Sequence, residues 1–324
     1  MNLAAWVEKW GRAAPDRPAI ACGGATYSTY RQWAARPGLD RKTVHWFWEF
    51  GKPTWVAANL YVLTEHFDDF WVGTTLGSLP LGYYSRAFEF ARYPRRVAAY
   101  PVASVFNPIF ARLQNDRLRL SQAFYRAAYV IVRSGYFFAG AFALVIPEFI
   151  HLIIGDRWLP MESTFRLMLI YTLIDSVLVL ATGVLFAVGR PGDVQRATTA
   201  QVLFFIPAVI VGALLWDING VALAVDGMML VGCVAIYPYL RRVADFSVWR
   251  LVVWPSIATL AALSVGLAVE WQGSELPVWQ LAIAKMLGFS LVFGLLLLVA
   301  EHREMFAAAR GVIELSRPQP HRST

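Results

Sequence analysis

The sequence predicts an all-α polytopic membrane protein with about eight transmembrane helices, and two observations support this fold class. Hydrophobic residues occupy 57% of the 324 positions, whereas charged residues occupy only 16%. Soluble domains carry about 25% charged residues, so this chain has more apolar surface than a soluble core can bury. The apolar residues also form continuous runs of about 20 residues, the length that a bilayer requires. The composition therefore excludes a disordered chain and an ordinary cytosolic enzyme.

Six apolar runs in the later part of the chain meet this length requirement. They span residues 134–154, 169–189, 197–216, 218–240, 251–269 and 277–300. Four of them contain one charged residue each, namely Glu148, Asp175, Asp226 or Lys285. We expect Glu148 and Asp226 to lie near helix ends, where a side chain can reach the interface, and Asp175 to lie near the start of its helix.

Two longer apolar stretches precede these runs, at about 48–77 and 79–111, and charged residues interrupt both. We interpret them as two further helices with polar faces, which brings the predicted number to eight.

Alternate turns between the runs differ in charge, which gives an independent check on the number of helices. The basic residues of one set include Arg112, Arg117, Arg119, Arg126, Arg190, Arg196, Arg241, Arg242 and Arg250. The other set holds Arg157 among mostly acidic residues. Because Lys and Arg accumulate in cytoplasmic loops, the arginine-rich turns are predicted to face the cytoplasm. An even number of helices then puts both termini there as well.

The chain is basic, but its residues predict neither a nucleic-acid partner nor a catalytic site. The net charge of +7 is dispersed among apolar runs, and no nucleic-acid-binding module is recognisable. Cys22 and Cys233 lie far apart, and the histidines are scattered, so we expect no metal site. Nucleotide-binding loops and Ser/His/Asp arrangements are also not found. We therefore expect no catalytic residues and no cofactor, and a protein that is not an enzyme.

The first two predicted helices hold most of the charges that would lie within the membrane. The acidic cluster consists of Glu65, Asp68, Asp69 and Glu89. The arginine cluster consists of Arg86, Arg92, Arg95 and Arg96. Residues 86, 89, 92 and 96 follow steps of three and four and share one helical face, with Arg95 to one side. Pro94 removes a backbone hydrogen bond and favours a kink between these residues.

Three interpretations of the arginine cluster are open. Charged groups within a membrane usually face a protein interior or an aqueous cavity, so the cluster is suited to lining a cavity that binds an anion such as phosphate. Alternatively, its members pair with the acidic cluster and hold helices together. In a third arrangement the second helix starts later and leaves residues 86–96 in an interfacial loop. The adjacent Asp68 and Asp69 point about 100° apart on a helix, so they are not expected to chelate one metal ion.

A series of short motifs is similar to the motifs of a known family. In chain order they are DFWVG, LG, LGYYSRA, PIFARLQND, GDRW, AVGRP and GVALA. They stand at residues 69–73, 76–77, 81–87, 108–116, 155–158, 187–191 and 220–224. Together they resemble the polysaccharide flippases of the multidrug/oligosaccharidyl-lipid/polysaccharide exporter superfamily. Such proteins have two six-helix lobes, sometimes with an extra helix pair, and the motifs are similar to those of the second lobe. The resemblance implies a six-helix lobe at 45–240 and a helix pair at 241–300, between cytoplasmic segments at 1–44 and 301–324.

The resemblance also implies a function. Members of the family flip undecaprenyl-pyrophosphate-linked oligosaccharides across the bacterial inner membrane during lipopolysaccharide or exopolysaccharide biosynthesis. By this resemblance the arginine cluster attracts the pyrophosphate, with Arg86 nearer the outer mouth. Asp68 and Asp69 would pair with these arginines or respond to the protons or cations that drive transport. The expected partners are the lipid-linked oligosaccharide, membrane lipids, and a separate first-lobe chain or other glycan-assembly proteins.

Two other functions are compatible with the sequence. The chain could be a non-transporting membrane subunit, or a relic, of a glycan-assembly system, because the family's first lobe has no counterpart among the motifs. An integral-membrane enzyme such as a sugar transferase is disfavoured by the short external loops.

The first 30 residues resemble a different family. The strings NLA at 2–4, PDRPAI at 15–20, GG at 23–24 and TY at 26–27 are similar to the opening of adenylate-forming acyl-CoA synthetases. No nucleotide-binding or catalytic motif of that family follows, so we expect no adenylation activity. A gene fusion, a rearranged reading frame or chance would each explain the match.

Overall fold

The computed structural model of the chain describes residues 12–16, 18–22, 25–29, 41–273 and 275–316. The chain divides into two compact units, Met1–Lys52 and Pro53–Thr324. The first contains an antiparallel hairpin of β1 (Pro18–Cys22) and β2 (Ala25–Thr29), which the sequence analysis did not predict. The predicted domain boundaries remain predictions, as does the resemblance of the first 30 residues to acyl-CoA synthetases.

Eight α-helices follow the hairpin in the part of the chain that the structure describes. They are α1 (Arg41–Thr75), α2 (Ser78–Ala91), α3 (Tyr100–Arg112), α4 (Arg117–Phe149), α5 (Glu162–Ala187), α6 (Pro191–Val243), α7 (Val248–Gln272) and α8 (Val278–Ser316). A π-helical turn, Arg95–Ala99, leads into α3, and another, Ile150–Ile154, extends α4. The predicted all-α polytopic membrane fold is confirmed for the helical part of the chain that follows the hairpin.

The six predicted apolar runs all lie in helices. Five helical segments of the described chain are long and apolar enough to cross a membrane: Arg117–Ile154, Asp156–Ala187, Pro191–Val243, Val248–Gln272 and Val278–His302. One of them, α6, holds two runs, because Trp216 and Asp217 leave helical geometry and reverse the chain. The Gln201 side chain donates a hydrogen bond of 3.4 Å to the Met228 carbonyl, which joins the two halves as an antiparallel pair.

The two upstream stretches are also helical, although neither belongs to the five apolar segments. The first forms the later part of α1, and the second forms α2 and α3 with a bend between them. Because α2 already begins at Ser78 and Arg96 lies in the π-helical turn, the alternative that residues 86–96 form an interfacial loop is wrong. That these two stretches cross the membrane, giving eight spans, remains a prediction.

Glycines at three of the motif turns explain part of the motif pattern physically. Gly77, Gly155 and Gly189 adopt φ angles of 97°, 101° and 74°. Positive φ is sterically costly for residues with a Cβ, so glycine is favoured where a helix ends and the chain changes direction. These turns separate α1 from α2, the extension of α4 from the turn before α5, and α5 from α6.

The helix pair α7–α8 is attached to α4 by two buried ion pairs. Near one end, Lys285 Nζ of α8 lies 2.5 Å from Glu148 Oε1 of α4 and 2.9 Å from Glu270 Oε2 of α7. Near the other end, Arg133 Nη2 of α4 lies 2.5 Å from Glu301 Oε1 of α8. With a rise of 1.5 Å per residue, the two α4 residues are about 22 Å apart. The ion pairs therefore fasten α8 at two well-separated levels of α4.

Apolar packing fills the interval between these ion pairs. The Phe289 ring packs so closely against Gly140 that a Cβ at that glycine would overlap it. Phe289 also stacks on Phe293, and both rings contact Phe137. Glycine at position 140 thus permits a close approach between α4 and α8, as small residues commonly do between membrane helices.

The expectation that Glu148 reaches an aqueous interface is wrong, although the residue does lie near the end of α4. Its side chain is only 7% exposed, because it pairs inside the bundle with Lys285, which is distant in the sequence. Sequence periodicity cannot reveal such a pair, since the two residues belong to different helices.

We predict that Lys285→Met lowers the stability of the protein by about 3–5 kcal/mol, because it leaves a buried carboxylate without its partner. Adding Glu148→Gln should recover part of the loss. Thermal unfolding of the purified protein in detergent, followed by tryptophan fluorescence, measures both changes. The exposed Lys52→Met serves as the matched control and should change little. A double variant no more stable than Lys285→Met would contradict the paired arrangement.

Candidate functional site

Arg95 is the most deeply buried member of the arginine cluster, and α1 and α5 supply most of its partners. The Nη1 atom donates a hydrogen bond of 2.7 Å to the Tyr171 hydroxyl, and Nη2 donates one of 2.6 Å to the Tyr61 hydroxyl. Its Nε atom lies 3.2 Å from Asp175 Oδ2. The guanidinium group also lies over the Tyr100 ring, 5.1 Å from its centroid. Its charge is therefore surrounded by partners that hold it in one orientation.

Glu65 of α1 connects Arg95 to Arg92. One carboxylate oxygen pairs with Arg92, and the other lies 3.8 Å from Arg95 Nη1. The Tyr61 hydroxyl also donates a hydrogen bond of 2.7 Å to Glu65 Oε1. Together these contacts form what we call the Arg95 network, which consists of Tyr61, Glu65, Arg92, Arg95, Tyr171 and Asp175. Two arginines are balanced by two carboxylates, so the network carries no net charge.

A cavity of about 390 Å³ adjoins this network, between α1, α2, α5 and α6. Arg95, Glu65 and Asp175 lie on its wall, together with both tyrosines of the network. Most of the remaining wall is apolar, and its polar exceptions are Thr54, Thr64, Thr182, Thr198 and Gln201. A mostly apolar pocket with a few convergent polar groups is typical of a small-molecule binding site.

The solvent exposure of the arginine side chains shows which side of the helix faces the interior of the bundle. The side chain of Arg95 is 8% exposed, that of Arg92 is 23% exposed and that of Arg86 is 51% exposed. Arg96 is exposed, and the described residues supply no ion pair to it. Since helical residues are about 100° apart, Arg95 and Arg96 lie on opposite sides of Arg92. The side of the helix that faces the interior of the bundle is therefore the Arg95 side, although Arg95 was predicted to lie beside the polar face. Arg96, which was predicted to lie on that face, points away from the interior.

Arg86 and Glu89 form a separate, exposed pair at the other end of this segment. Arg86 Nη1 lies 2.8 Å from Glu89 Oε2. The Arg86 guanidinium also lies over the Trp158 ring, 5.7 Å from its centroid. Trp158 belongs to the GDRW motif, so this contact brings two of the sequence motifs together.

Asp68 and Asp69 have hydroxyl partners on α2. The Tyr84 hydroxyl donates a hydrogen bond of 2.5 Å to Asp68 Oδ2, and Ser85 Oγ donates one of 2.8 Å to Asp69 Oδ1. Both partners belong to the LGYYSRA motif. Pairing of the acidic cluster with arginines is thus seen for Glu65 and Glu89, whereas these two aspartates bind hydroxyl groups.

Two single charges of the apolar runs lie deeper than the sequence predicted. Asp175 is central in α5, because this helix begins at Glu162, seven residues before the predicted run. Asp226 is only 4% exposed, and neither of its carboxylate oxygens has a hydrogen-bond partner among the described residues. The expectations of a position near a helix start for Asp175 and an interfacial position for Asp226 are therefore wrong.

Tyr61 and Tyr171 are the functional candidates that the sequence analysis missed. Tyrosines are abundant in this chain, and their usual position at the membrane interface gave no reason to select them. The one signal in the sequence that pointed to this site was Asp175. It is a single charge in an apolar run, so its partner had to come from another helix.

We predict that Arg95→Met destabilises the protein by about 3–5 kcal/mol, since it leaves Asp175 buried without its counter-charge. Arg96→Gln removes an exposed arginine of the same segment and should change stability by less than about 0.5 kcal/mol. Unfolding temperatures in detergent compare the two. Equal losses would contradict the assignment of Arg95 to the interior, and Arg95→Met combined with Asp175→Asn should recover stability.

We also predict that Tyr84→Phe costs about 1–3 kcal/mol, because Asp68 loses its hydroxyl donor within the bundle. Tyr83→Phe is the matched control, since the adjacent hydroxyl has no hydrogen bond to a described residue. The same unfolding measurement applies. A Tyr84→Phe protein as stable as the control would show that the hydroxyl contributes nothing to holding Asp68.

Parts of the chain are similar to known proteins of polysaccharide biosynthesis. A family described as polysaccharide biosynthesis protein matches residues 20–163. An uncharacterized membrane protein in the cps region of Klebsiella pneumoniae is 25% identical over 165 residues, which are 51% of this chain and 33% of that protein. The lipopolysaccharide biosynthesis protein WzxC of Escherichia coli (strain K12) is 24% identical over 179 residues, which are 55% of this chain and 36% of that protein. The matched part thus spans about a third of the length of these relatives.

Among solved structures, the lipid II flippase MurJ in an inward closed conformation has a similar fold. The TM-score is 0.68, the match covers 83% of this chain and 57% of that chain, and the sequence identity is 15%. The family and sequence matches bear out the predicted resemblance to membrane proteins of polysaccharide biosynthesis, and the structural match shows a helical fold similar to that of a flippase. Together with the five apolar helices, they support a multi-pass membrane protein.

Proposed function

We propose that this chain, a relative of the polysaccharide-biosynthesis membrane proteins, takes part in flipping an undecaprenyl-pyrophosphate-linked oligosaccharide across the bacterial inner membrane. The observation that carries the proposal is the cavity with the Arg95 network on its wall, in a helical fold similar to that of a flippase. An apolar wall suits the lipid-linked part of such a substrate, and the arginines suit its pyrophosphate. No covalent chemistry is required, since transport needs only binding and release on two sides.

The charge balance of the network suggests how the substrate would bind. Arg92 and Arg95 are satisfied by Glu65 and Asp175, so an incoming pyrophosphate must compete with these carboxylates for the guanidinium groups. Arginine suits this exchange because its planar fork binds phosphate oxygens in pairs. The carboxylates would neutralise the arginines again once the substrate has left. Arg86 and Arg96, which are exposed, would attract the pyrophosphate from the rim, with Arg86 nearer the outer mouth.

The acidic residues outside the network have a different role in this proposal. Asp68 and Asp69, held by hydroxyl groups of α2, would respond to the protons or cations that drive transport. Glu89 would neutralise Arg86 until the substrate arrives.

Alternating access in the flippase family requires two lobes. We propose that the helices of this chain act as the second lobe and work with a first lobe, supplied by another chain or by further sequence. The arginine-rich turns would face the cytoplasm together with both termini, as the positive-inside rule predicts.

Complementation of a bacterial strain that lacks its polysaccharide flippase tests the proposal. The chain, expressed with the first lobe of a relative such as WzxC, should restore surface glycan. Arg92→Gln should reduce the restored glycan about tenfold or more, because one well-placed charged contact to the pyrophosphate contributes about 1.5–3 kcal/mol. Arg112→Gln, an exposed arginine outside the network, is the matched control and should leave the glycan unchanged. Membrane levels of each variant are measured by immunoblotting.

The charge-balanced network also supports a second candidate, a non-transporting membrane subunit in which these ion pairs only hold helices together. It predicts that Arg92→Gln changes protein abundance alone and that no combination of lobes restores glycan. Failure of restoration with normal membrane levels would therefore reject transport and favour the subunit.

A further inference from the structure

A second open groove, of about 770 Å³, lies where the start of α4, the end of α6 and the start of α7 meet. Its charged lining residues are Arg117, Arg126, Arg241, Arg250 and Asp245. Four arginines thus face one carboxylate, in contrast to the balanced Arg95 network. The groove shares no lining residue with the cavity of that network, so it is a separate feature of the fold.

Two of the arginines build the groove by fixing the connection between α6 and α7. Arg117 Nη2 lies 2.9 Å from Asp245 Oδ1 and donates a hydrogen bond of 3.0 Å to the Arg241 carbonyl. Arg241 Nη1 in turn donates one of 2.9 Å to the Phe246 carbonyl, and the Asp245 amide donates one of 2.8 Å to Ser121 Oγ. These contacts join α4 to the α6–α7 connection and define the shape of the groove.

The other two arginines, Arg126 and Arg250, have no ion pair with any residue that the structure describes. Both are exposed, and they approach the groove from different helices, α4 and α7. Asp245, the one carboxylate of the lining, already forms an ion pair with Arg117. The groove therefore presents two guanidinium groups without a carboxylate partner, and guanidinium groups bind anions with several oxygens well.

Large apolar side chains flank this charged groove. Leu118 of α4 is 70% exposed, and Trp249 of α7 is 77% exposed. Trp249 and Trp254 also line a neighbouring depression that shares Arg250 with the groove. Tryptophan is enriched at the level of lipid headgroups, where the ring meets acyl chains and polar groups together. A ligand that covers both the arginines and these apolar groups needs an anionic group and a hydrocarbon part.

We infer that this groove binds the phosphate headgroup of an anionic phospholipid, such as phosphatidylglycerol, with Arg126 and Arg250 contacting the phosphate. The arginine-rich turns form this end of the bundle, and anionic lipids attract basic clusters beside membrane helices. The acyl chains would lie along Leu118 and Trp249. The inference does not depend on the proposed transport function, because it involves different residues.

Thermal unfolding of the full chain in a neutral detergent, with added lipids, tests this site. Phosphatidylglycerol should raise the unfolding temperature, whereas phosphatidylcholine with the same acyl chains should have little effect. In Arg126→Gln/Arg250→Gln the apparent affinity for phosphatidylglycerol should fall about 25-fold, as expected for two arginine contacts of about a factor of five each. Arg112→Gln/Arg119→Gln, which removes two exposed arginines of the same turn region outside the groove, should keep the wild-type response.

The outcomes separate the possible ligands. An equal response to phosphatidylcholine would overturn the inference, as would an undiminished response in Arg126→Gln/Arg250→Gln. Inorganic phosphate that stabilises the protein as well as phosphatidylglycerol, through an effect that Arg126→Gln/Arg250→Gln abolishes, would show a site for free anions and reject the lipid. Native mass spectrometry of both double variants provides a second measurement, since bound phosphatidylglycerol appears directly as an added mass.

Discussion

A charged side chain between apolar helices needs an opposite charge or water, and the ion pair between Arg95 and Asp175 meets this requirement at the centre of the bundle. It joins the bend between α2 and α3 to the middle of α5, and Glu65 extends it to α1. The position of these helices around the cavity therefore depends on charges that neutralise one another. Apolar surfaces alone confer little specificity on helix–helix contacts in lipid, because the lipid tails are equally apolar.

The same constraint operates in the attachment of α7 and α8. Lys285 and Glu301 of α8 find their partners on α4, and close packing at Gly140 fills the space between them. Ion pairs at two levels fix the register of α8 along α4, while dispersion contacts supply the packing. The helix pair α7–α8 is thus packed tightly against α4.

Charge is distributed differently at the arginine-rich end of the bundle. Inside, Arg92 and Arg95 are each matched by a carboxylate, which suits a site that exchanges one anion for another. At the end, Arg126 and Arg250 lack such partners among the described residues, which suits lasting contact with the membrane surface. Under the two proposals above, substrate exchange and phospholipid binding would use separate parts of the molecule.

The sequence by itself determined the helical membrane fold, the six apolar runs and the turns at Gly155 and Gly189, because run length and the need for positive φ are local properties. It also identified Arg92 and Arg95 as charges requiring an explanation. Only the tertiary structure decided that Arg95 points inward and that Asp175 is its partner. Helical spacing defines which residues share a face, but the direction of that face depends on residues about 80 positions away. The hydrophobic pattern carries no information about such distant pairs.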